Sequence, residues 1–380
     1  MRGLKPMMRR VLDVFGTAFV LGCTAFGGPI AHLAHFHRVY VTRKQWIDAE
    51  AYASWVALCT ALPGPTSSQV GIAIGKHRAG WAGAVAAWVG FTLPAAVLMT
   101  ACALLFHADG ELLVPNALRT GCTLAAVAVV MHALIGMART YVTVSSVPFV
   151  ALGAVALWLS PWTFTALLGG IIVVALGFRT AVRALWRIAP GVGALIAPLI
   201  ALPLIAYYVP EISFVEAFYR AGVLVFGGGH IVLPVLESSL TLTSTQWLYG
   251  YGVMQALPGP LFAFAAYVGA LLGGVFGACA AVLLIFLPSF VLVGMSSRFV
   301  QTLYTDARWK RVLGYVHGCT VGILALTACT FAIDVIHRPT DTLIVALCAV
   351  LLYVRVAAVA VVPIGALLVW LRDGWGLLPW

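Results

Sequence analysis

Two stretches of this chain place glycine and proline where an apolar run would otherwise continue. The first contains Phe26-Gly27-Gly28-Pro29, Gln45-Trp46, Leu62-Pro63-Gly64-Pro65 and Phe91-Thr92-Leu93-Pro94. The second contains Phe226-Gly227-Gly228-Gly229, Gln246-Trp247, Leu257-Pro258-Gly259-Pro260 and Phe286-Leu287-Pro288, the same words in the same order. A helix that begins at such a break presents free backbone N–H groups and the positive end of its dipole. That combination is suited to an anion. Pro29 and Pro65 fit a first helical turn, where proline loses no needed donor. Gly229 replaces the first proline and leaves a triple glycine, at which backbone can approach a ligand closely. The polar side chains beside the breaks are Thr66, Ser67, Ser68, Gln69 and His230. They offer hydrogen bonds without fixed charge, as an anion that must also leave requires. The expected binding positions are Gly27, Gly28, Pro29, Pro63, Gly64, Pro65, Thr66, Ser67 and Gln69 in the first stretch. In the second they are Gly227, Gly228, Gly229, His230, Pro258, Gly259 and Pro260.

Ionisable residues inside apolar segments are the next candidates. Glu237 follows the second glycine break by a short helix and is the preferred proton-coupling carboxylate; an interfacial role is the alternative. Arg119 and Arg220 lie deep by sequence and could attract an anion or pair with a carboxylate. Arg38, Lys76 and Arg78 form basic feet that would draw an anion to one face. His32, His35 and His37, beside Arg38, fit an interfacial foot better than a metal cluster. The eight cysteines lie in apolar segments with no CxxC pair, so neither a disulfide framework nor a metal site is expected. No Ser/His/Asp set, HExxH, Walker or GxGxxG context points to an enzyme, and no cofactor is implied.

The elements that hold these residues must be membrane helices. Of 380 residues, 62% are hydrophobic and 9% charged, and the mean hydropathy is +1.04. Soluble chains carry about 25% charged residues. The apolar runs reach the roughly 20 residues of a helical span, without the alternation of an outer-membrane barrel. The expected fold is therefore an all-α polytopic membrane protein in the bacterial inner membrane. The net charge of +10 sits in short loops between apolar runs, which is the positive-inside pattern and not a nucleic-acid surface.

Arg2, Lys5, Arg9 and Arg10 place the N-terminus in the cytoplasm. The run from Val11 reaches Gly27 early, and basic residues return at Arg38, Arg43 and Lys44, which predicts a re-entrant hairpin. The stretch from Trp46 to Lys76-His77-Arg78, broken at Pro63-Gly64-Pro65, predicts a second hairpin. Crossings follow at 81–107, 112–137, 142–160, 162–178, 190–208 and 311–333, with two short stretches around Arg355. In the second half the loop charges change sign. Arg38, Arg43 and Lys44 correspond to Glu237 and Ser238–Thr245; Lys76-His77-Arg78 corresponds to Ala270-Leu271-Leu272; Asp109 and Glu111 correspond to Arg298, Arg308, Lys310 and Arg311. Such a reversal predicts two inverted-topology repeats, 1–187 and 211–380, joined by a transmembrane helix at 188–210. Inverted repeats with discontinuous helices are an architecture of secondary transporters, whose site lies at the repeat interface.

These residues resemble the chromate ion transporter family in its long, two-domain form. Phe26-Gly27-Gly28-Pro29, the basic stretch to Trp46, Pro63-Gly64-Pro65-Thr66, Gln69, Gly75 and Gly80 are similar to its N-terminal domain. Phe226-Gly227-Gly228-Gly229, Pro234, Glu237, Trp247, Pro258-Gly259-Pro260-Leu261-Phe262, Phe264, Gly269, Gly277 and Phe286-Leu287-Pro288 are similar to its C-terminal domain. The resemblance implies export of chromate from the cytoplasm by the proton motive force, with protons as coupling ion and sulfate as competing analogue. The stretch Trp247–Leu257 is shorter than Trp46–Leu62 and lacks counterparts of Asp48 and Glu50, so a trimmed second hairpin is expected. A sulfate or other anion permease and a passive anion channel are the alternative readings. The sequence leaves room for a homo-oligomer.

Overall fold

Caps and breaks set the helix ends. The computed structural model describes residues 4–107, 115–176, 189–295 and 307–374, and the regular structure of these residues is all helical.

Helix α1, Leu4–Thr24, stops before Gly27 and Gly28, which take φ of 91° and 76°. Helix α2, Gly28–Phe36, restarts with Pro29 in its first turn and runs into a π-helical segment, His37–Arg43. Helix α3, Ala49–Ala61, is started by Asp48, whose carboxylate accepts from the Ala51 amide at 2.7 Å. It ends at Pro63-Gly64-Pro65, with Gly64 at φ 104°. Helix α4, Thr66–His107, is broken at Ala79 and Gly80. Around that break Gly75 and Gly83 lie backbone to backbone, and a Cβ on Gly75 would stand 2.3 Å from the Gly83 carbonyl oxygen. Helices α5, Asn116–Tyr141, α6, Val147–Leu159, α7, Pro161–Leu176, and α8, Ala189–Tyr208, follow.

The second stretch has the same backbone geometry. Helix α9, Ile212–Leu224, ends before Gly227 and Gly228, at φ 83° and 130°. A 3₁₀ turn, Gly229–Ile231, leads into α10, Val232–Glu237. Helix α11, Ser244–Ala256, begins at a capping box between Thr243 and Gln246. Gly259 then takes φ 110°, and the turn Leu261–Ala263 leads into α12, Phe264–Met295. Helix α12 is broken at Gly273 and Gly274, with φ of −152° and 59° against −145° and 64° at Ala79 and Gly80. Helices α13, Ala307–Val335, α14, Pro339–Tyr353, and α15, Ala358–Gly374, complete the chain.

The expected trimming between Trp247 and Leu257 is not a shorter helix, because α3 and α11 both have 13 residues. Gln45-Trp46 precedes α3, whereas Gln246-Trp247 lies inside α11, so these two words are out of register. Asp48 and Thr243, the two N-caps, are the matched positions.

Among the described residues four segments are long and apolar enough to cross a membrane: Thr66–Phe106, Asn116–Tyr141, Leu261–Met295 and Trp309–Val335. Together they are consistent with a polytopic membrane protein. Helix α6, expected as a crossing at 142–160, has 13 residues, while the expected crossing at 162–178 runs beyond the described residues. At about 1.5 Å per residue α6 falls short of the roughly 30 Å hydrocarbon core.

Helix α4 packs against α1 and α12, and α12 packs against α9. The larger core cluster draws on α4–α7 and α9–α15, while α1–α3 and α4 as far as Phe91 form a second. The break residues sit where α1, α4, α9 and α12 meet.

Candidate anion site at the helix breaks

Two backbone hydrogen bonds join the breaks of the two stretches. The Gly64 amide donates to the Val225 carbonyl at 2.7 Å, and the Gly259 amide donates to the Ala25 carbonyl at 2.9 Å. Each of these glycine turns is thus seated where the other stretch's first helix has just ended. The steric surroundings are reciprocal too. A Cβ on Gly64 would meet Ser289 Oγ at 3.2 Å and the Gly222 carbonyl oxygen at 3.5 Å. One on Gly259 would meet Ala95 Cβ at 2.8 Å and the Gly22 carbonyl oxygen at 3.6 Å.

Between these contacts lies a cleft of about 20 Å³, lined by residues from all four breaks. Pro29, Gly64, Pro65, Thr66, Ser67, Gly228, Gly229 and Pro260 line it, all expected from the sequence. Leu261, Phe262 and His32 line it as well and were not expected. The helix starts at Gly28, Gly229 and Leu261 have no side-chain cap. The helices that lead into the breaks, α3 and α11, begin with Asp48 and Thr243 caps. The uncapped starts beside the cleft leave backbone donors open to a ligand.

His32 is 1% exposed. Its Nδ1 lies 3.3 Å from Ser67 Oγ and its Nε2 3.2 Å from the Ala25 carbonyl oxygen. Phe91 meets the ring edge-on at 5.5 Å. The interfacial-foot expectation fails for His32 because His32, Phe36 and Tyr40 form a buried i, i+4 stripe. That stripe is visible in the sequence and was the signal to use. His37 points elsewhere, against Tyr52.

The other expected residues surround the cleft without lining it. Gln69 Nε2 donates to the Pro63 carbonyl at 2.6 Å and so holds the turn, while Gln69 Oε1 is buried with no hydrogen-bond partner. Gly27 and Gly259 line a neighbouring cavity with Gln255 and Ala357. Gly227 faces Met137, His317 and Thr320. Pro258 is half-buried beside Gly259. The His230 ring bonds Tyr251 Oη at 2.5 Å.

The charged candidates lie farther out. Arg220 is 1% exposed and pairs with Glu216 at 2.5 Å, with further contacts to Ser239 Oγ and the Trp162 ring. Lys76 donates to the Val293 carbonyl at 3.4 Å and lies over Trp81. Arg78 and Lys44 both lie against the Trp46 ring, and Lys44 also pairs with Asp13 at 2.7 Å. Arg38 is exposed and Glu237 half-buried. Among the described residues no group of three His, Cys, Asp or Glu side chains gathers to hold a metal.

The chromate transporter family pattern matches residues 12–205 and 212–370. The chain belongs to that family. It is a transporter family, not an enzyme family. A chromate transport protein of Pseudomonas aeruginosa is 26% identical over 344 residues, 84% of this chain and 79% of the relative. A chromate transport protein of Cupriavidus metallidurans is 24% identical over 379 residues, 92% of this chain and 90% of the relative. An uncharacterized transporter of Methanocaldococcus jannaschii is 24% identical over 340 residues, 85% of this chain and 84% of the relative. No solved structure matches the chain.

Proposed function

We propose that this family member carries chromate out of the cytoplasm through the cleft at the four breaks, using the proton motive force. The observation that carries the reading is the convergence of uncapped helix starts from both stretches on one space. Chromate is a tetrahedral dianion, and open amides with the Thr66 and Ser67 hydroxyls match its oxygens. Two relatives named chromate transport proteins support it as cargo. Sulfate, of like shape and charge, is the expected competitor.

The cleft, at about 20 Å³, holds roughly one water. A tetrahedral oxyanion is larger, so the walls must part to admit it. In this reading the Gly64–Val225 and Gly259–Ala25 contacts lie on the surface that moves. The two stretches act as inverted repeats, 1–187 and 211–380, with 188–210 as the connecting helix and the breaks as tips of re-entrant hairpins. Matched φ values at the breaks support the repeat, and the junction of the family match between 205 and 212 supports the boundary. The N-terminus faces the cytoplasm, with Arg38, Lys76 and Arg78 attracting the anion there. Glu237 or a group nearer the cleft carries the proton.

Chromate uptake into everted membrane vesicles tests the reading. Uptake is expected to respond to an imposed pH gradient at clamped membrane potential and to fall with excess sulfate. A passive channel would ignore the pH gradient. Uptake indifferent to both overturns proton-coupled oxyanion transport. Cysteine labelling at the Lys76 and Arg311 positions tests the inversion: both should react from the same face.

A further inference from the structure

Among the described residues the imidazole of His32 is the one titratable side chain lining the cleft, and its two hydrogen bonds fix the tautomer of its neutral form. A carbonyl oxygen only accepts, so Nε2 must carry the proton that bonds Ala25. In a neutral ring Nδ1 is then an acceptor, and Ser67 Oγ–H must be its donor. The Ala25 carbonyl also accepts from the Gly259 amide, so both of its lone pairs are engaged. Ser67 therefore spends its proton on the ring and turns only lone pairs towards the cleft. That arrangement repels an oxyanion.

We propose that His32 and Ser67 form a proton-dependent anion switch, in which protonation of His32 releases the Ser67 hydroxyl proton to the bound oxyanion. This rests on the oxyanion reading of the same cleft. The proton enters from solvent onto Nδ1, which becomes a donor to Ser67 Oγ. The hydroxyl then rotates its own hydrogen towards the anion. The Nε2–Ala25 bond is the same in both protonation states, so the switch itself turns one rotor and adds no backbone movement to the opening of the cleft. Protonation also adds a positive charge beside the uncapped start of α2.

The surroundings supply no competing counter-charge. His35 is the titratable neighbour on the same helix. From α3, Tyr52 Oη is committed to the Leu33 carbonyl at 2.6 Å, and the Cys59 carbonyl accepts from Thr66. From the π-helical segment, Tyr40 packs against Phe36. From α4 come Phe91 and Ser67, and from α1 the Ala25 carbonyl. The second stretch contributes Gly228, Gly229, Pro260, Leu261 and Phe262, none of them titratable. None of these neighbours is a carboxylate. A buried imidazolium without a counter-ion is costly, and the oxyanion is the partner that removes the cost. By linkage, anion binding raises proton affinity as much as the proton raises anion affinity. Proton and anion are consequently bound together.

The test is chromate binding by equilibrium dialysis to the purified, full-length protein across about pH 5 to 8. His32→Gln and Ser67→Ala are compared with the wild type. Chromate's own protonation is common to all three, so differences between the profiles report the protein. Relative to His32→Gln, the wild type should tighten by about ten- to a hundredfold towards acid, the range of a charged hydrogen bond. It should also take up a proton per anion that His32→Gln does not. Ser67→Ala should keep the proton uptake and bind more weakly at acid pH. A His32→Gln profile parallel to the wild type with equal proton uptake overturns the switch alone. Ser67→Ala indistinguishable from wild type overturns the hydroxyl's part. Wild-type protein that binds no chromate at any pH overturns the oxyanion site and the switch with it.

Discussion

The Gly64 amide donates to the Val225 carbonyl over 2.7 Å, which ties the turn before α4 to the end of α9 more than 100 positions away in the chain. Gly64 holds φ at 104°, and an added Cβ would stand 2.8 Å from Gln69 Nε2, the group that holds Pro63. Gly64→Ala must strain the turn or loosen it from α9, at a cost of about 1–3 kcal/mol. The expected result is a lower melting temperature in detergent and loss of chromate transport. Gly259→Ala, whose Cβ would stand 2.8 Å from Ala95 Cβ, should behave alike. Unchanged melting in both would remove these turns from the interface between the stretches.

Gly28 and Gly228 fail for a different reason. Neither has any atom within 4 Å of an added Cβ, yet their φ values of 76° and 130° are ones that L side chains rarely adopt. Gly28→Val and Gly228→Val meet no clash at Cβ, so backbone strain of about 1–3 kcal/mol is the expected cost to stability; the variants should still insert, and lose transport, because the break can no longer present its amides. Fluorescence-detected size exclusion separates the two effects. Near-normal transport in both variants would exclude the breaks from the mechanism.

Arg220 and Glu216 make a buried pair, with side chains 2% and 8% exposed. Removing one partner of such a pair costs about 3–5 kcal/mol, because the other charge is stranded. Glu216→Gln should express poorly and melt early, and Glu216→Gln/Arg220→Gln should recover part of the loss. The pair does not line the cleft, so the double variant should bind chromate as the wild type does. A large loss of affinity there would return Arg220 to the anion's path.

The breaks were legible in the sequence because glycine and proline inside an apolar run have few explanations, and a repeated order leaves fewer. Eight expected residues line one cleft for that reason. His32 was hidden by its neighbours: next to His35, His37 and Arg38 it looks like part of a polar foot. Only the helix phase, set by the start of α2 at Gly28, turns it inward with Phe36 and Tyr40. Arg220 could have been read either way, since its partner Glu216 lies one helical turn earlier and the pair is equally compatible with a surface. The matching of Trp46 with Trp247 went astray because a shared dipeptide outweighed the caps. Asp48 and Thr243 share no side-chain identity, yet each starts a helix of 13 residues.

Close backbone approach should separate structural glycines from indifferent ones. A Cβ on Gly83 would lie 2.2 Å from the Gly75 carbonyl oxygen, and one on Gly277 would lie 2.2 Å from the Gly269 carbonyl oxygen. Both clashes are with backbone, so no side-chain rotation relieves them, and the segments on either side of each break must separate. Gly170, in α7, has nothing within 4 Å and no positive φ. Gly83→Ala and Gly277→Ala should each destabilise the protein by about 1–3 kcal/mol, the usual cost of overpacking. Gly170→Ala should be neutral or stabilise by a few tenths, because alanine is the better helix former. Thermal denaturation of the three purified variants in one detergent decides it. Equal melting temperatures would show that the breaks at Gly80 and Gly274 do not depend on the small-residue contact.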